Sequence, residues 1–256
     1  MNTNIPDKKR VESAVRKLFR VLFPFNDKIT SPEIEFSGTG IQDRFERIFQ
    51  ELVSDYKKVK GQFFNSLTGI KIALSKDAQF ILESDPAAKD LVEVIAVYPG
   101  FFAIYCYRIA HAIDLLSVKL LPRMITEYAH KLTGIDIHPG ARIGIPLSID
   151  HGTGIVIGET TEIGNNVKLY QGVTLGALSV DKSKASKKRH PTIGDNVIIY
   201  AGSTILGGET VVGRNSIIGG NVWLTESVAP FSVVYHKSEV IVRDSNKFQE
   251  PINFII

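Results

Sequence analysis

An aliphatic residue recurs at every sixth position through most of the second half of the chain, beginning with Ile137 and Ile143. Neither the 3.6-residue period of an α-helix nor the two-residue alternation of a β-strand produces a sustained period of six. A fixed short repeat is typical of a solenoid, in which each repeat packs only on its neighbours. The period therefore predicts a β-helix with three hexads to a coil and a central column of aliphatic side chains. The predicted anchors are Ile137, Ile143, Ile149, Ile157, Ile163, Leu169, Leu175, Ile193, Ile199, Ile205, Val212, Ile218 and Leu224.

The repeat is interrupted at three places. Two extra residues separate Ile149 from Ile157, and one extra residue falls at Gly207-Gly208. The largest interruption is the polar stretch 177–190, which is rich in lysine and cannot fill an aliphatic column. Because insertions in repeat arrays form loops, often on the binding face, we expect a loop at 177–190 and a functional site near His151.

The first half of the chain has the periodicity of helices instead. Apolar residues at helical spacing predict helices near 7–23, 42–59, 63–74, 99–116 and 118–132. Ser84-Asp85-Pro86 is typical of a helix start, because Asp85 can cap a helix and Pro86 suits its first turn. The chain is therefore predicted to have three parts. They are an α-helical domain at 1–133, a β-helix domain at 134–230 that includes the loop 177–190, and a C-terminal tail at 231–256.

The composition limits where such a chain works. Hydrophobic residues make up 44% and charged residues 22%, which is typical of a soluble globular protein. The net charge of +3 favours neither a nucleic acid nor a membrane surface as a partner. The single cysteine, Cys106, cannot form an intramolecular disulfide, and the longest apolar stretch, 91–107, is interrupted by Glu93, Pro99 and Gly100. We therefore expect a cytoplasmic protein.

Four blocks of sequence carry a resemblance to a known family. In their order and spacing they resemble the serine acetyltransferase family, and the likeness reaches back to 85–87 and 107–111. The hexapeptide period alone indicates only the broad acyltransferase superfamily, whereas the block around His151 is specific for this family. The blocks are DIHPGA at 136–141, IDHGTGIVIGET at 149–160, GVTLG at 172–176 and RHPTIG at 189–194.

The resemblance implies an N-terminal α-helical domain followed by a left-handed parallel β-helix. It also implies trimers, with active sites in the grooves between neighbouring β-helices, so a homotrimer or a dimer of trimers joined through the helical domain is expected. The activity implied is transfer of acetyl from acetyl-CoA to the hydroxyl of L-serine. This reaction gives O-acetyl-L-serine and CoA, and it is the first step of cysteine biosynthesis.

The same resemblance assigns the catalytic residues. A serine hydroxyl is a poor nucleophile until a base accepts its proton, and a neutral imidazole suits that task near pH 7. His151 matches the base of the family, and Asp136 matches the carboxylate that orients it. Acetyl-CoA is a co-substrate, and the reaction is expected to need no cofactor and no metal ion.

Further positions match substrate contacts of the family. Asp85 and Asp150 resemble the acidic contacts for the ammonium group of serine, and Arg189 and His190 resemble the contacts for its carboxylate, which Arg can bind in a bidentate way. Small residues match the floor of the acetyl-CoA groove, namely Gly176, Ala177, Ala201 and Gly220.

The end of the chain matches a docking segment of the family. Many members end in an isoleucine that enters the active site of O-acetylserine sulfhydrylase, and Ile256 fits this pattern. The resemblance also implies feedback inhibition by L-cysteine at the serine site.

Three alternatives stay open at this level. The first is another hexapeptide acetyltransferase that acts on homoserine, an amino sugar or a drug. The second is a hydratase on the same solenoid, with zinc bound by His138, His151 and His190. The third is a non-catalytic scaffold that binds a partner through Ile256.

Overall fold

The computed structural model describes residues 5–26, 28–178 and 187–237. Over these residues six helices precede fourteen short strands. The helices are α1 (Lys8–Leu22), α2 (Ile41–Leu52), α3 (Tyr56–Ser84), α4 (Leu91–Val97), α5 (Pro99–Asp114) and α6 (Leu121–Thr133). The strands are β1 (Asp136–Ile137), β2 (Arg142–Ile143), β3 (Leu147–Asp150), β4 (Val156–Ile157), β5 (Glu162–Ile163), β6 (Val167–Tyr170), β7 (Thr174–Gly176), β8 (Thr192–Ile193), β9 (Ile198–Ile199), β10 (Thr204–Leu206), β11 (Val211–Val212), β12 (Ile217–Ile218), β13 (Trp223–Leu224) and β14 (Val233–Val234).

The helical half follows the predicted pattern with two corrections. The helix predicted at 42–59 is divided at Val53 into α2 and α3, and α3 continues through the segment predicted at 63–74. The helix start predicted at Asp85 is wrong, because Asp85 is the residue that ends α3. Helix α4 begins instead after Asp90, whose side chain accepts a hydrogen bond from Glu93 N at 2.8 Å.

The strands form three parallel sheets that are the faces of a prism. The first sheet has the order β1-β4-β7-β10-β13, the second β11-β8-β5-β2, and the third β14-β12-β9-β6-β3. Each of the first four coils therefore gives one strand to each face, as three hexads per coil predict, and the last coil adds β13 and β14 to the first and third faces and an isolated bridge at Val228 to the second. The predicted fold class, an α-helical domain followed by a left-handed parallel β-helix, is confirmed.

The register between coils reproduces the predicted interruptions. Ile157 pairs with Leu175, an eighteen-residue step of three hexads, whereas Ile137 pairs with Ile157 over a twenty-residue step. Leu175 pairs with Ile205 over a thirty-residue step, which is longer than the three hexads of one coil. Residues 179–186 of the loop predicted at 177–190 lie outside the described part. The predicted anchors are buried except Ile143 and Leu224, which are partly exposed.

The β-helix also extends past its predicted end at residue 230. Strand β14 pairs with β12, so Val233 and Val234 still belong to the third sheet. The rest of the predicted tail, 238–256, lies outside the described residues.

The helices pack on the third sheet at the first coils of the prism. Asp77 of α3 forms an ion pair with Arg108 of α5, and its Oδ1 atom accepts a hydrogen bond from Leu147 N of β3 at 2.9 Å. A Cβ atom on Gly100 would lie 2.3 Å from the carbonyl oxygen of Ile149, so α5 and β3 touch backbone to backbone. This packing brings the end of α3 next to the end of β3.

No single helix in the described part of the chain is long and apolar enough to cross a membrane. Helices α4 and α5 together have the length and composition of a membrane span, but their axes are bent by 70° relative to each other.

Candidate active site

His151 follows β3 at the corner where the chain turns from the third sheet into the first. Its backbone is in the left-handed region, with φ of 56°, and its side chain is 73% exposed. Its Nε2 atom lies 3.7 Å from Oδ1 of Asp150, which is the last residue of β3. The ring is therefore open to a ligand on one side and close to a carboxylate on the other.

A second carboxylate reaches this corner from the helical domain. Oδ2 of Asp85 accepts a hydrogen bond from the hydroxyl of Tyr98 at 2.7 Å, and Oδ1 accepts one from Ala87 N at 2.8 Å. The Tyr98 hydrogen bond lowers the pKa of Asp85, and the same bond raises the pKa of Tyr98 to about 12. Asp85 is thus held as an ionised carboxylate.

Lys168 of β6 completes this group. Its Nζ atom lies 3.2 Å from Oδ2 of Asp150 and donates a hydrogen bond to the carbonyl oxygen of Ser84 at 2.7 Å. Neither Lys168 nor Tyr98 is among the site residues predicted from the sequence. We define the His151 cluster as Asp85, Tyr98, Asp150, His151 and Lys168.

A second group lies around the predicted residues Arg189 and His190. His190 is 8% exposed, and Arg189 forms an ion pair with Glu159. The hydroxyl oxygen of Thr160 accepts hydrogen bonds from the backbone N–H groups of Arg189 and His190, at 2.9 and 3.1 Å. The imidazole of His138 interacts electrostatically with Glu159 and His190. We define the His190 cluster as His138, Glu159, Thr160, Arg189 and His190.

The contacts of His190 determine its proton position. Nδ1 accepts a hydrogen bond from Thr160 N at 3.1 Å and lies 2.8 Å from the Thr160 hydroxyl, whose oxygen already accepts two N–H groups. Burial, together with the charge of Arg189, lowers the pKa of His190 to about 4. His190 is therefore neutral near pH 7 and carries its proton on Nε2, where it is a hydrogen-bond donor.

The two clusters occupy different corners of the prism. Asp150 and His151 lie between the third and first sheets, whereas Thr160 and His190 lie between the first and second sheets. The residues predicted to bind serine are therefore brought together in two pairs, and within one chain the first sheet separates these pairs.

Asp136 lies on β1 of the first sheet. Its Oδ1 atom is 3.2 Å from Arg123, which also forms an ion pair with Glu127 at 2.6 Å. Within the described residues of one chain no hydrogen bond or ion pair joins Asp136 to His151. The carboxylate that lies 3.7 Å from the His151 ring is that of Asp150.

Asp136 also belongs to a group that offers ligand atoms to a cation. Atoms of Glu127, His130 and Asp136 lie within 4.8 Å of one another. Arg123 pairs with both carboxylates and already supplies a positive charge there. Over the described residues His138, His151 and His190 of one chain do not form such a group.

The residues predicted to bind acetyl-CoA are divided in the same way. Ala201 and Gly220 stack at the corner of His151, where a Cβ atom on Gly220 would lie 3.3 Å from the carbonyl oxygen of Ala201. Gly176 ends β7 of the first sheet and Ala177 follows it, at the other corner. Asp150 pairs with Tyr170, so the next residue, Gln171, lies one coil from His151. The side-chain oxygen of Gln171 is buried without a hydrogen-bond partner.

No family model matches the chain. A curated serine acetyltransferase of Helicobacter pylori is 44% identical over 171 residues, which cover 67% of this chain and 98% of that protein. The chain belongs to the serine acetyltransferase family. A second serine acetyltransferase, plasmid-encoded in Synechococcus elongatus, is 48% identical over 189 residues, which cover 72% of this chain and 58% of that protein. The resemblance carried by the four sequence blocks is therefore confirmed.

Solved serine acetyltransferases also share the fold. Isoform 3 of Entamoeba histolytica, in complex with cysteine, has a TM-score of 0.78 and 31% identity over 91% of this chain and 84% of that chain. The Neisseria gonorrhoeae enzyme in complex with serine has a TM-score of 0.65 and 29% identity over 92% of this chain and 98% of that chain. A serine acetyltransferase in complex with CoA has a TM-score of 0.63 and 26% identity over 89% and 98%.

Proposed function

We propose that this serine acetyltransferase uses His151 as the general base that activates the hydroxyl of L-serine. The observation that carries the proposal is the exposed ring of His151 beside the carboxylates of Asp150 and Asp85. A small amino acid with its ammonium group on these carboxylates has its hydroxyl near the imidazole. The solved relatives in complex with serine, CoA and cysteine support this choice of ligands.

The reaction proceeds by a single transfer. His151 accepts the hydroxyl proton as the serine oxygen attacks the thioester carbonyl carbon, and a tetrahedral oxyanion forms. The carbon–sulfur bond then breaks, the CoA thiolate leaves, and the imidazolium returns its proton to the sulfur. The products are O-acetyl-L-serine and CoA, with acetyl-CoA as co-substrate. We propose that no metal ion or other cofactor takes part.

The remaining site residues hold the substrate. Asp85 and Asp150 bind the ammonium group of serine. Arg189 binds the carboxylate, and neutral His190 donates from Nε2 to the same carboxylate or to the oxyanion. The groove for the pantetheine arm runs past Gly176, Ala177, Ala201 and Gly220.

The division of the site into two clusters supports an oligomeric enzyme. A substrate that contacts both His151 and His190 needs the corner of one β-helix beside a different corner of its neighbour. We therefore propose a homotrimer with active sites between neighbouring β-helices, or a dimer of such trimers joined through the helical domain.

Complementation tests this arrangement. His151→Ala and His190→Ala chains, each nearly inactive alone, are mixed, unfolded and refolded together. If the sites lie between copies, some sites in the mixed oligomers contain both histidines and activity returns. Activity that stays at the level of the separate variants would show that each site belongs to one chain.

The acceptor is tested by release of CoA with L-serine, L-homoserine and glucosamine. Rapid turnover with L-serine and slow turnover with the others is the expected result, and no turnover with L-serine would overturn the proposed function. Metal analysis of the same purified protein separates it from the zinc hydratase, since no stoichiometric zinc is expected.

Regulation and partners follow from the family. We propose inhibition by L-cysteine at the serine site, which the solved relatives in complex with cysteine support. We also propose that Ile256, which lies outside the described residues, binds O-acetylserine sulfhydrylase. The enzyme is expected to work in the cytoplasm, with neither nucleic acid nor membrane as a partner.

A further inference from the structure

Lys168 is a nearly buried cation at an outward-facing position of a strand. Its neighbours Val167 and Leu169 are fully buried inside the prism, so the Lys168 side chain points away from the core, yet it is only 10% exposed. The end of helix α3 lies next to it, as its hydrogen bond to Ser84 shows. Because a lysine is rarely buried unless its charge is paired, the groups around the Lys168 ammonium show what holds it there.

Three groups surround the Lys168 ammonium. The carbonyl oxygen of Ser84 accepts a hydrogen bond at 2.7 Å, Oδ2 of Asp150 lies at 3.2 Å, and the ring of Tyr170 lies 4.7 Å away. Tyr170 is held in turn by stacking on Tyr200, with ring centroids 4.9 Å apart. The cation is thus fixed from the helical domain, from β3 and from its own strand.

These contacts join the two carboxylates that we propose for ammonium binding. Ser84 directly precedes Asp85, so the hydrogen bond to its carbonyl oxygen fixes the backbone that carries Asp85. The ion pair fixes Asp150. Asp85 and Asp150 belong to different domains, and Lys168 links both.

The charge of Lys168 has a second consequence. Two carboxylates and one ammonium leave a single net negative charge in the His151 cluster, which matches the single ammonium group of an amino acid. The titratable groups that face Asp150 and Lys168 are His151 and Asp150 from β3, Asp85 and Tyr98 from the helical domain, and Tyr170 from β6.

We infer that Lys168 is a positioning residue for the acceptor amino acid: it sets the spacing of Asp85 and Asp150 and limits their pocket to one net negative charge. The inference rests on the proposed function. It predicts that loss of the cation weakens serine binding and leaves the acetyl-CoA groove unchanged.

The test compares Lys168→Met with Lys168→Arg and with the control Lys76→Met, which removes an exposed lysine of α3. Lys168→Met raises the KM for L-serine at least about tenfold and changes the KM for acetyl-CoA less than about twofold. The acid limb of kcat/KM for L-serine moves to higher pH, because two uncompensated carboxylates favour protonation of the site. Lys168→Arg keeps the charge and recovers part of the loss, and Lys76→Met matches the wild type.

A double variant separates positioning from a general effect on folding. Because Lys168 also fixes the backbone of Asp85 through Ser84, Asp150→Asn together with Lys168→Met is expected to have a KM for L-serine above that of Asp150→Asn alone but below the value for additive effects. This pair also avoids leaving the partly buried carboxylate of Asp150 without its lysine, so it remains informative if Lys168→Met alone does not fold. Additive effects of the two changes would overturn the inference.

The result is distinct from the test of the proposed function. A wild-type enzyme that does not acetylate L-serine overturns the proposed function. An active wild type, with Lys168→Met unchanged in serine KM and in pH profile, overturns the role of Lys168 alone.

Discussion

Gly158 lies directly against the imidazole of His190, and a Cβ atom built on Gly158 would come within 2.0 Å of Cδ2 of that ring. Any other residue at 158 must therefore displace the ring from its place beside Thr160. Gly158 belongs to the block of sequence that carries the resemblance, and the structure gives a steric reason for a glycine there.

Gly158→Ala is expected to displace His190 and lower kcat/KM for L-serine by about a hundredfold, the order of loss that a misplacement of about 1 Å causes in an active site. Steady-state kinetics of CoA release measure this loss. Gly61→Ala is the matched control, because a Cβ atom on Gly61 has nothing within 4 Å. Normal activity of Gly158→Ala would contradict a functional role for the position of His190.

His151→Ala is expected to lower kcat by about 10²–10⁴, the contribution of a general base, with little change in either KM. His236→Ala removes an exposed histidine near the last strand and should match the wild type. An active His151→Ala enzyme would reject the proposed base.

Asp136→Asn and Asp150→Asn distinguish the two candidate partners of His151. If Asp136 orients the base, as the resemblance implies, Asp136→Asn lowers kcat and leaves the KM for L-serine unchanged. If Asp150, at 3.7 Å, contacts the substrate ammonium, Asp150→Asn mainly raises that KM. The reverse pattern would exchange their roles.

Tyr98→Phe is expected to make serine binding more sensitive to acid. The Tyr98 hydrogen bond lowers the pKa of Asp85, so without it Asp85 becomes protonated at a higher pH as the solution is acidified. The KM for L-serine then rises sooner on acidification in the variant than in the wild type. Measuring that KM against pH tests this, and Tyr235→Phe, at an exposed tyrosine, is the control. Superimposable profiles would show that the hydrogen bond does not matter.

Arg108→Met is expected to destabilise the fold by about 3–5 kcal/mol, because it leaves the carboxylate of Asp77 buried without its cation. Thermal or urea unfolding measures the loss. The double change Asp77→Leu with Arg108→Met should cost less than Arg108→Met alone, since no charge remains buried. Glu162→Gln breaks an exposed pair with Arg142 and should cost less than about 1 kcal/mol. Equal losses for Arg108→Met and Glu162→Gln would contradict this account.

Much of the β-helix could be predicted because the signal is local and repeated. The aliphatic column follows from counting hexads, and its anchors pair in register and are buried except Ile143 and Leu224. The long step from Leu175 to Ile205 leaves room for the loop at 177–190, which stays a prediction over residues 179–186. Capping residues are a less reliable guide to where a helix begins. Ser84-Asp85-Pro86 has the composition of a helix start, but Asp85 ends α3, because its carboxylate binds Ala87 N and the Tyr98 hydroxyl instead.

The family and the solenoid could be predicted from the chain alone, because both depend on residue types at fixed spacing. The same spacing singles out His151, whose role as the base stays a proposal. Packing between distant parts of the chain fixes which of the candidate residues share a corner. Asp85 and Asp150 lie beside His151, whereas Arg189 and His190 lie across the first sheet. Lys168 lies between Asp150 and the end of helix α3. These relations depend on how α3 packs on the third sheet, a contact between distant parts of the chain that no local pattern encodes.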